Sequence, residues 1–318
     1  MSPEPYALAG KKVWVAGHRG MVGSAIVRRL VSEECSILTA SRSDADLVRQ
    51  GDVDRWMAGA RPDVVIIAAA KVGGIHANDT FPADFLYENL MIEANIIKAS
   101  HNIGVEKLLF LGSSCIYPRD TAQPITEDAL LSGPLEATNE WYAIAKIAGI
   151  KLCQAFRRQF DCDFISAMPA NLYGPGDNYH RTNSHVIPAL IVKIQEAVRN
   201  QAPTVEIWGT GTPRREFMHV DDLADACVFL LAGYSQHDHI NIGVGSDVSI
   251  ADLARTLGDI ADFTGEFVFD ASKPDGTPSK LMDSQRIAAL GWSPSIELIA
   301  GLRTAYDWYC ANQAAARS

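Results

Sequence analysis

The stretch VWVAGHRGMVGSAI, residues 13–26, begins as an apolar strand, passes through a glycine-rich turn and continues as a helix. Gly17, Gly20 and Gly23 follow the spacing G-x-x-G-x-x-G. Such glycines let the backbone turn tightly and approach a pyrophosphate, while the following helix offers unpaired N–H groups and the positive end of its dipole. Glycine triplets also occur for steric reasons alone. The position of this one after the first strand predicts a dinucleotide site.

Three further apolar segments resemble the first strand. They lie at residues 36–41, 63–70 and 107–113, and helical segments separate them. Continuous apolar strands that alternate with helices indicate a parallel sheet that is covered on both faces. The sequence therefore predicts an α/β fold with a Rossmann-type, doubly wound parallel sheet.

The character of the chain changes at about Tyr173, where loops rich in Gly, Pro and Asn become frequent. Such loops suggest a smaller α/β lobe that is built to bind a ligand. We expect the dinucleotide-binding domain to comprise residues 1–171 plus about 216–245. The substrate domain is expected to comprise residues about 172–215 plus 246–318.

Composition and charge argue against several classes of protein. The 318 residues are 47% apolar and 21% charged, which is ordinary for a soluble globular protein. No apolar run approaches the roughly 20 residues that span a bilayer, and the start MSPEPYALAGKKV lacks the apolar core of a signal peptide. The net charge of −10 argues against nucleic acid as a partner. We expect a cytoplasmic protein with no membrane partner.

The six cysteines lack the spacing of a metal site or of a disulfide framework. In a cytoplasmic chain of this length they are expected to be free thiols, and no metal is expected. An anionic ligand would have to be held by local cations, because the overall negative charge repels it.

The end of the second strand distinguishes NAD from NADP. An NAD site needs a carboxylate there for the ribose hydroxyls, whereas an NADP site needs cations for the additional phosphate. Here the strand runs into Ser41 and Arg42, and Arg19 lies inside the glycine turn. This pattern favours NADP(H). Asp44 or Asp46 could still serve an NAD ribose, or face water.

Tyr142 and Lys146 are four residues apart in the helical segment NEWYAIAKIAG and so share one helix face. A lysine ammonium near a phenol lowers the pKa of the phenol, which can then donate and accept a proton during hydride transfer. The Tyr-x-x-x-Lys spacing alone is common. In this chain the helix follows a strand that ends at Ser113, and Ser, Tyr and Lys together form the constellation of short-chain dehydrogenases/reductases.

The sequence resembles, over nearly its whole length, the extended short-chain dehydrogenases/reductases that act on nucleotide sugars. The segments that carry the resemblance are GHRGMVGSAI, AAAKVGGI, LFLGSSCIYP, YAIAKIAGIKLC, NLYGPGDNYH, NSHVIPAL, WGTGTPRREFMHVDD and PDGTPSKLMD. The resemblance implies that GDP-4-keto-6-deoxy-D-mannose is epimerised at C3 and C5 and then reduced at C4 with NADPH, giving GDP-L-fucose. Ser113, Tyr142 and Lys146 would be the reductase triad.

The binding residues for the cofactor are expected from the glycine turn, the end of the second strand and this resemblance together, and the resemblance selects those for the substrate. Those for NADP(H) are Gly17, Arg19, Gly20, Gly23, Arg42, Ala69, Tyr142 and Lys146. Those for the GDP-sugar are Asn171, Lys193, Trp208, Arg215 and Lys280. Any one surface cation is more often only a solvated charge, and Lys193 would equally suit an ordinary helix surface.

Cys115 follows the strand in the segment LGSSCIYP, where a buried thiol would ordinarily fill space. In a 4-keto sugar, the carbons on both sides of the ketone carry acidic protons, and inverting either carbon requires one group on each face of the ring. A thiol suits the base and a histidine suits the acid. The resemblance pairs Cys115 as base with His185 as acid. A loop histidine that caps a turn would look identical.

Two other kinds of function stay open at this level. A 4-epimerase, or a 4-reductase without epimerisation, would retain NAD tightly or would not exchange sugar protons with solvent. A non-catalytic redox sensor that binds NADPH typically has a broken Tyr-x-x-x-Lys motif, whereas Tyr142 and Lys146 are both present.

The segments FLYENLMIEANII and YAIAKIAGIKLC carry apolar residues on more than one helix face. Helices buried between subunits have this pattern. A homodimer is therefore expected, and the resemblance implies that it forms through a four-helix bundle.

Overall fold

The computed structural model describes residues 5–180, 184–273, 275–313 and 316, and its strands follow the apolar runs of the sequence. The strands are β1 (Lys12–Ala16), β2 (Ser36–Leu38), β3 (Val64–Ile67), β4 (Lys107–Leu111), β5 (Asp163–Pro169), β6 (Asn171–Tyr173), β7 (Thr204–Trp208), β8 (Arg214–Arg215), β9 (Phe217–His219), β10 (Ile240–Ile242), β11 (Val248–Ser249), β12 (Glu266–Asp270) and β13 (Ser279–Lys280).

The helices occupy most of the segments between these strands. They are α1 (Met21–Leu30), α2 (Gln50–Ala60), α3 (Ile75–Thr80), α4 (Pro82–Ile103), α5 (Glu140–Phe160), α6 (Val186–Asn200), α7 (Val220–Gly233), α8 (Ile250–Ile260), α9 (Gln285–Ala289) and α10 (Leu298–Asn312). None of the helices in the described ranges combines the length and the apolarity that a membrane crossing requires.

Six parallel strands form the central sheet in the order β2-β1-β3-β4-β5-β10. Helix α1 packs against α7, and α4 packs against α2 and α5, which gives one helix layer on each face. The predicted doubly wound parallel sheet is confirmed. The strand order reverses between β1 and β3, and ligands of such sheets bind beyond the carboxyl ends of the strands at this point.

The first hydrophobic core lies on both faces of this sheet, where β3 and β4 are buried along their whole length. A second core forms where α6, α8 and α10 meet β7, around Ile191, Leu257 and Leu302. Small sheets accompany it, with β7 beside β12 and β8 between β11 and β13. Met282 and Trp292 belong to the first core, although both lie in the range predicted for the substrate domain.

Helices α4 and α5 are the longest pair, and they pack on each other over the sheet. Pro82 opens α4, where its missing N–H costs no intrahelical bond, and Gly104 ends it with a φ of 78°. Helix α5 begins at Glu140 and ends where Asp161 adopts a φ of 56°. This pair of helices carries the side chains that the tyrosine–lysine motif predicts to be functional.

Candidate active site

The glycine turn between β1 and α1 leaves no room for side chains at two of its positions. Gly17 has a φ of 90°, and a Cβ atom there would lie 2.7 Å from the backbone nitrogen of Ala69. A Cβ atom on Gly23 would overlap the carbonyl oxygen of Gly17. Gly20 precedes α1 and offers no side-chain cap to the first N–H groups of the helix. A close-packed turn at an uncapped helix start fits the phosphates of a dinucleotide.

The loop after β2 carries the two carboxylates that could bind a ribose, and both hydrogen-bond to neighbouring residues. The carboxylate of Asp44 accepts hydrogen bonds from the Ser41 hydroxyl at 2.6 Å and from the Ser41 N–H at 2.7 Å, and these bonds lower the pKa of Asp44. Asp46 accepts from the backbone N–H two residues further on. Arg19 and Arg42 are exposed, and neither forms a salt bridge within the described residues. The carboxylates of Asp44 and Asp46 both accept hydrogen bonds from their own loop. The exposed cations Arg19 and Arg42 therefore suit the additional phosphate of NADP(H).

Strand β4 leads directly to the predicted triad. After Leu111 the chain passes through Gly112 and Ser113 into a single helical turn, Ser114–Ile116. The hydroxyl of Ser113 accepts a hydrogen bond from the Cys115 N–H at 3.3 Å and also hydrogen-bonds the Tyr142 phenol. The structure therefore brings Ser113, Cys115 and Tyr142 together.

Burial raises the pKa of Tyr142 well above its usual range. The charges of Cys115 and Glu93 raise it further, and the hydrogen bond with Ser113 opposes them. Lys146 is not among the groups that shift this pKa, so the lowering of the phenol pKa by Lys146 stays a prediction. A raised pKa keeps the proton on the phenol, which suits a group that must donate a proton.

The physical reason is the direction in which Lys146 points. Its ammonium lies 2.9 Å from the Glu93 carboxylate and donates to the Leu111 carbonyl at 3.1 Å. It also lies 4.7 Å from the ring centre of Phe110 and 5.9 Å from that of Tyr142. Lys146 thus shares the site with Tyr142, as predicted, but its charge is directed at a carboxylate that the sequence analysis did not consider.

Cys115 is half-buried and its sulfur faces polar groups. The Asn139 amide donates to the sulfur at 3.3 Å, and the Lys280 ammonium lies 3.8 Å away. Asn139 occupies the position that precedes α5, yet its side chain caps no helical N–H. Contacts with a cation and an amide donor differ from the apolar surroundings of a thiol that only fills space.

Arg215 and Lys280 are neighbours across two short parallel strands, because β8 and β13 pair Arg215 with Lys280. Burial lowers the pKa of Arg215, and the negative charges of Cys115, Asp275 and Glu136 oppose that effect. A narrow cleft opens beside Lys280, and Cys115 and Glu136 are among the other residues that line it. The structure thus places two of the predicted substrate cations next to the thiol.

The other predicted substrate residues lie on the second core and its edge. The Lys193 ammonium lies 5.5 Å from the Trp208 ring centre and donates to a backbone carbonyl at 3.0 Å. Trp208 is 51% exposed, and Lys273 lies over the same ring at 5.6 Å. The Asn171 amide donates to the Glu216 carbonyl at 2.8 Å. Lys193 and Trp208 therefore form one cluster, and Asn171 lies apart from it at the start of β6.

His185 lies directly before α6 without capping it. The residue keeps access to solvent, but surrounding protein atoms lower the pKa of its imidazole by desolvation. Within the described ranges no hydrogen bond joins His185 to Cys115. An acid and a base that act on opposite faces of one sugar ring should not contact each other directly.

Sequence reasoning missed Glu93, Asn139 and Lys273. Glu93 carries a signal that could have revealed it, because an acid in the middle of the apolar segment LMIEANII must pair with something if the helix is buried. Asn139 looks like an ordinary helix cap, and Lys273 like an ordinary surface charge. Nothing local in the sequence distinguishes these two residues from their common roles.

Comparisons with known proteins agree with this geometry. The profile of the NAD dependent epimerase/dehydratase family matches residues 13–243. A GDP-L-fucose synthase of Sinorhizobium fredii is 57% identical over 309 residues, which cover 97% of this chain and 98% of that protein. The GDP-L-fucose synthase of Escherichia coli is 51% identical over 316 residues, which cover 96% of this chain and 98% of that protein.

A solved structure of similar architecture has been determined with a bound dinucleotide. It is the GDP-L-fucose synthetase from Naegleria fowleri bound to NADP, with a TM-score of 0.92 and 27% identity. The match covers 100% of this chain and 99% of that one. This chain therefore belongs to the NAD dependent epimerase/dehydratase family, in the branch that contains the GDP-L-fucose synthases.

Proposed function

We propose that this protein converts GDP-4-keto-6-deoxy-D-mannose to GDP-L-fucose by epimerisation at C3 and C5 followed by NADPH-dependent reduction at C4. The observation that carries the proposal is the position of Cys115. Its sulfur lies within 3.8 Å of both the Asn139 amide and the Lys280 ammonium, on the same turn that presents Ser113 to Tyr142. A reductase needs only the serine, tyrosine and lysine, so a thiol in polar surroundings supplies the base that epimerisation requires.

The residues of the glycine turn, together with Arg19, Arg42 and Lys146, would hold the cofactor. Bound NADPH supplies the hydride for C4. Tyr142 gives its proton to the C4 oxygen, and its raised pKa means that the phenol carries that proton at neutral pH. Ser113 hydrogen-bonds the same oxygen and also favours the phenolate that is left behind.

The epimerisations would proceed in the same site before reduction. Cys115 removes a proton from a carbon next to the ketone, and the electron pair of that C–H bond moves to the C4 oxygen to form an enolate. Ser113 and Tyr142 stabilise the oxygen. His185 then returns a proton to the opposite face of the same carbon.

The GDP part of the substrate is assigned to the cations and the tryptophan. Arg215 and Lys280 would bind the diphosphate, and both are close enough to Cys115 to bring the sugar to the thiol. Trp208 and Lys193 would meet the base or ribose, and Asn171 the sugar. The curated relatives support these roles, since their names specify a GDP-sugar product.

Deuterium incorporation tests the function directly. When GDP-4-keto-6-deoxy-D-mannose is incubated with the protein in heavy water without NADPH, mass spectrometry should show deuterium entering the sugar beyond a protein-free control. Addition of NADPH should then give GDP-L-fucose. Consumption of NADPH without any deuterium uptake would mean that the protein is a plain 4-keto reductase.

A homodimer through a four-helix bundle of α4 and α5 is also proposed. Large apolar side chains stay exposed on both helices, with Tyr87 at 60%, Trp141 at 42% and Ile144 at 37%. Two such helices from each of two chains would cover these side chains and gain the free energy of burying them.

Light scattering should therefore give a mass of twice the 34.5 kDa chain. Ile144→Glu should shift the protein towards the monomer, since it places a charge in the proposed interface. Ile299→Glu changes an exposed isoleucine on α10 and serves as the matched control. A monomeric parent protein would contradict the proposal.

The predicted division into two domains and the cytoplasmic location also stay proposals. The two separate hydrophobic cores support the division, with the adjustment that the segment around Met282 and Trp292 packs with the first core. Six free cysteines suit a reducing compartment.

A further inference from the structure

We propose that Glu93 is a positioning residue for the reductase half of the reaction, because its buried carboxylate pairs with the Lys146 ammonium and fixes it beside Tyr142. The inference rests on the proposed function of the site. Glu93 lies on α4, more than fifty residues before Lys146 in the chain, and only the packing of α4 on α5 brings the two together.

Both side chains of the pair are only 2% exposed. An isolated ammonium in such surroundings would lose its charge, since desolvation disfavours the charged form. The Glu93 carboxylate at 2.9 Å compensates for that loss, and the Leu111 carbonyl provides one further acceptor. Neither carboxylate oxygen makes a well-aligned hydrogen bond within the described residues, so Glu93 acts on Lys146 mainly as a charge.

The absence of a side chain at Gly149 provides space for the Glu93 carboxylate. It lies three residues after Lys146 in the interior of α5, where glycine is less favourable than alanine. A Cβ atom on Gly149 would lie 2.7 Å from a Glu93 carboxylate oxygen and would overlap the Phe110 ring. A side chain at this position of α5 would displace the Phe110 ring and the Glu93 carboxylate.

The Glu93 charge also affects the other ionisable groups around the pair. On α5, burial is the main cause that raises the pKa of Tyr142 and that of Cys153, and the Glu93 charge raises both further. The pKa of Cys153 is raised to about 12. Strand β4 contributes the Leu111 carbonyl and the Phe110 ring, which carry no charge. Burial raises the pKa of Glu93 itself, and Lys146 opposes that effect. Each charge of the pair thus depends on the other.

Glu93→Gln keeps the shape of the side chain and removes its charge, and the pH profile of NADPH-dependent reduction is the measurement. Without a counter-ion, the buried ammonium should lose its proton more readily, so the alkaline limb of kcat should move down by about one pH unit. At a pH on that limb, kcat should fall about tenfold, with little change in the KM for the GDP-sugar.

Asp163→Asn is the matched control. Asp163 pairs at 2.6 Å with Lys107, another buried lysine, at the opposite end of β4 from the site. This variant should lose stability without moving the pH profile. If Glu93→Gln behaves in the same way, Glu93 is only structural and the inference is overturned. If the parent protein fails to reduce the sugar at all, the proposed function has failed instead.

A second measurement needs neither cofactor nor substrate. The melting temperature of the ligand-free protein is compared among the parent, Glu93→Gln, Lys146→Met and the double variant. Each single change leaves one buried charge without its partner, so each should lower the melting temperature, and the double variant should melt above the value that additivity gives. Additive losses would show that the two charges do not depend on each other.

Discussion

Cys115→Ser should abolish deuterium uptake from heavy water by the 4-keto sugar, with a loss of about 10²- to 10⁴-fold, as for removal of a general base. Serine keeps the small size of the residue, and its hydroxyl can still accept from Asn139. An alcohol gives up its proton far less readily than a thiol, however, so the polar surroundings of Lys280 and Asn139 cannot turn it into a usable base.

Reduction should be affected much less, provided that the substrate has already been epimerised. The hydroxyl of Ser113, the phenol of Tyr142 and the charge of Lys146 are unchanged in this variant, and they act on the C4 oxygen rather than on the neighbouring carbons. Cys310→Ser, which alters an exposed thiol, is the control and should leave both activities as they are. If Cys115→Ser lost exchange and reduction equally, the thiol would be a packing residue.

Most of the fold could be predicted because its determinants are local. The apolar run of β1, the glycine turn and the start of α1 follow one another within residues 12–30, and the structure places them as the pattern indicates. Strands β3 and β4 are buried along their whole length, and so their sequences are continuously apolar. The small strands around the second core are only two to five residues long, which is too short for any periodicity to develop.

The site could be predicted only in part, for a different reason. Tyr142 and Lys146 are fixed relative to each other by the helix, and Ser113 and Cys115 by one turn. The direction of the Lys146 ammonium depends on Glu93, which is far away in the sequence and arrives through the packing of α4 on α5. The contact of Lys280 with Cys115 spans 165 positions and depends on the pairing of β8 with β13. Single-sequence patterns carry no information on such contacts.

Tyr142→Phe should show the opposite losses to those of Cys115→Ser. NADPH-dependent reduction should fall by about 10²- to 10⁴-fold, because the C4 oxygen loses its proton donor. Phenylalanine keeps the ring and therefore the edge contact with Phe85 at 6.4 Å, so the helix should stay in place. The Lys146 ammonium keeps its ion pair with Glu93 and its hydrogen bond to the Leu111 carbonyl, since neither depends on the phenol.

Deuterium uptake should persist in Tyr142→Phe, reduced about tenfold, since the enolate oxygen loses one of two donors and keeps Ser113. Tyr306→Phe removes a hydroxyl that bonds Gln195 beside the second core and is the matched control. If exchange collapsed together with reduction, Tyr142 would be needed to generate the enolate, and the division of labour between thiol and phenol would be wrong. Opposite losses in the two variants would instead show that one site carries out two separable proton transfers, one at carbon through Cys115 and one at oxygen through Tyr142.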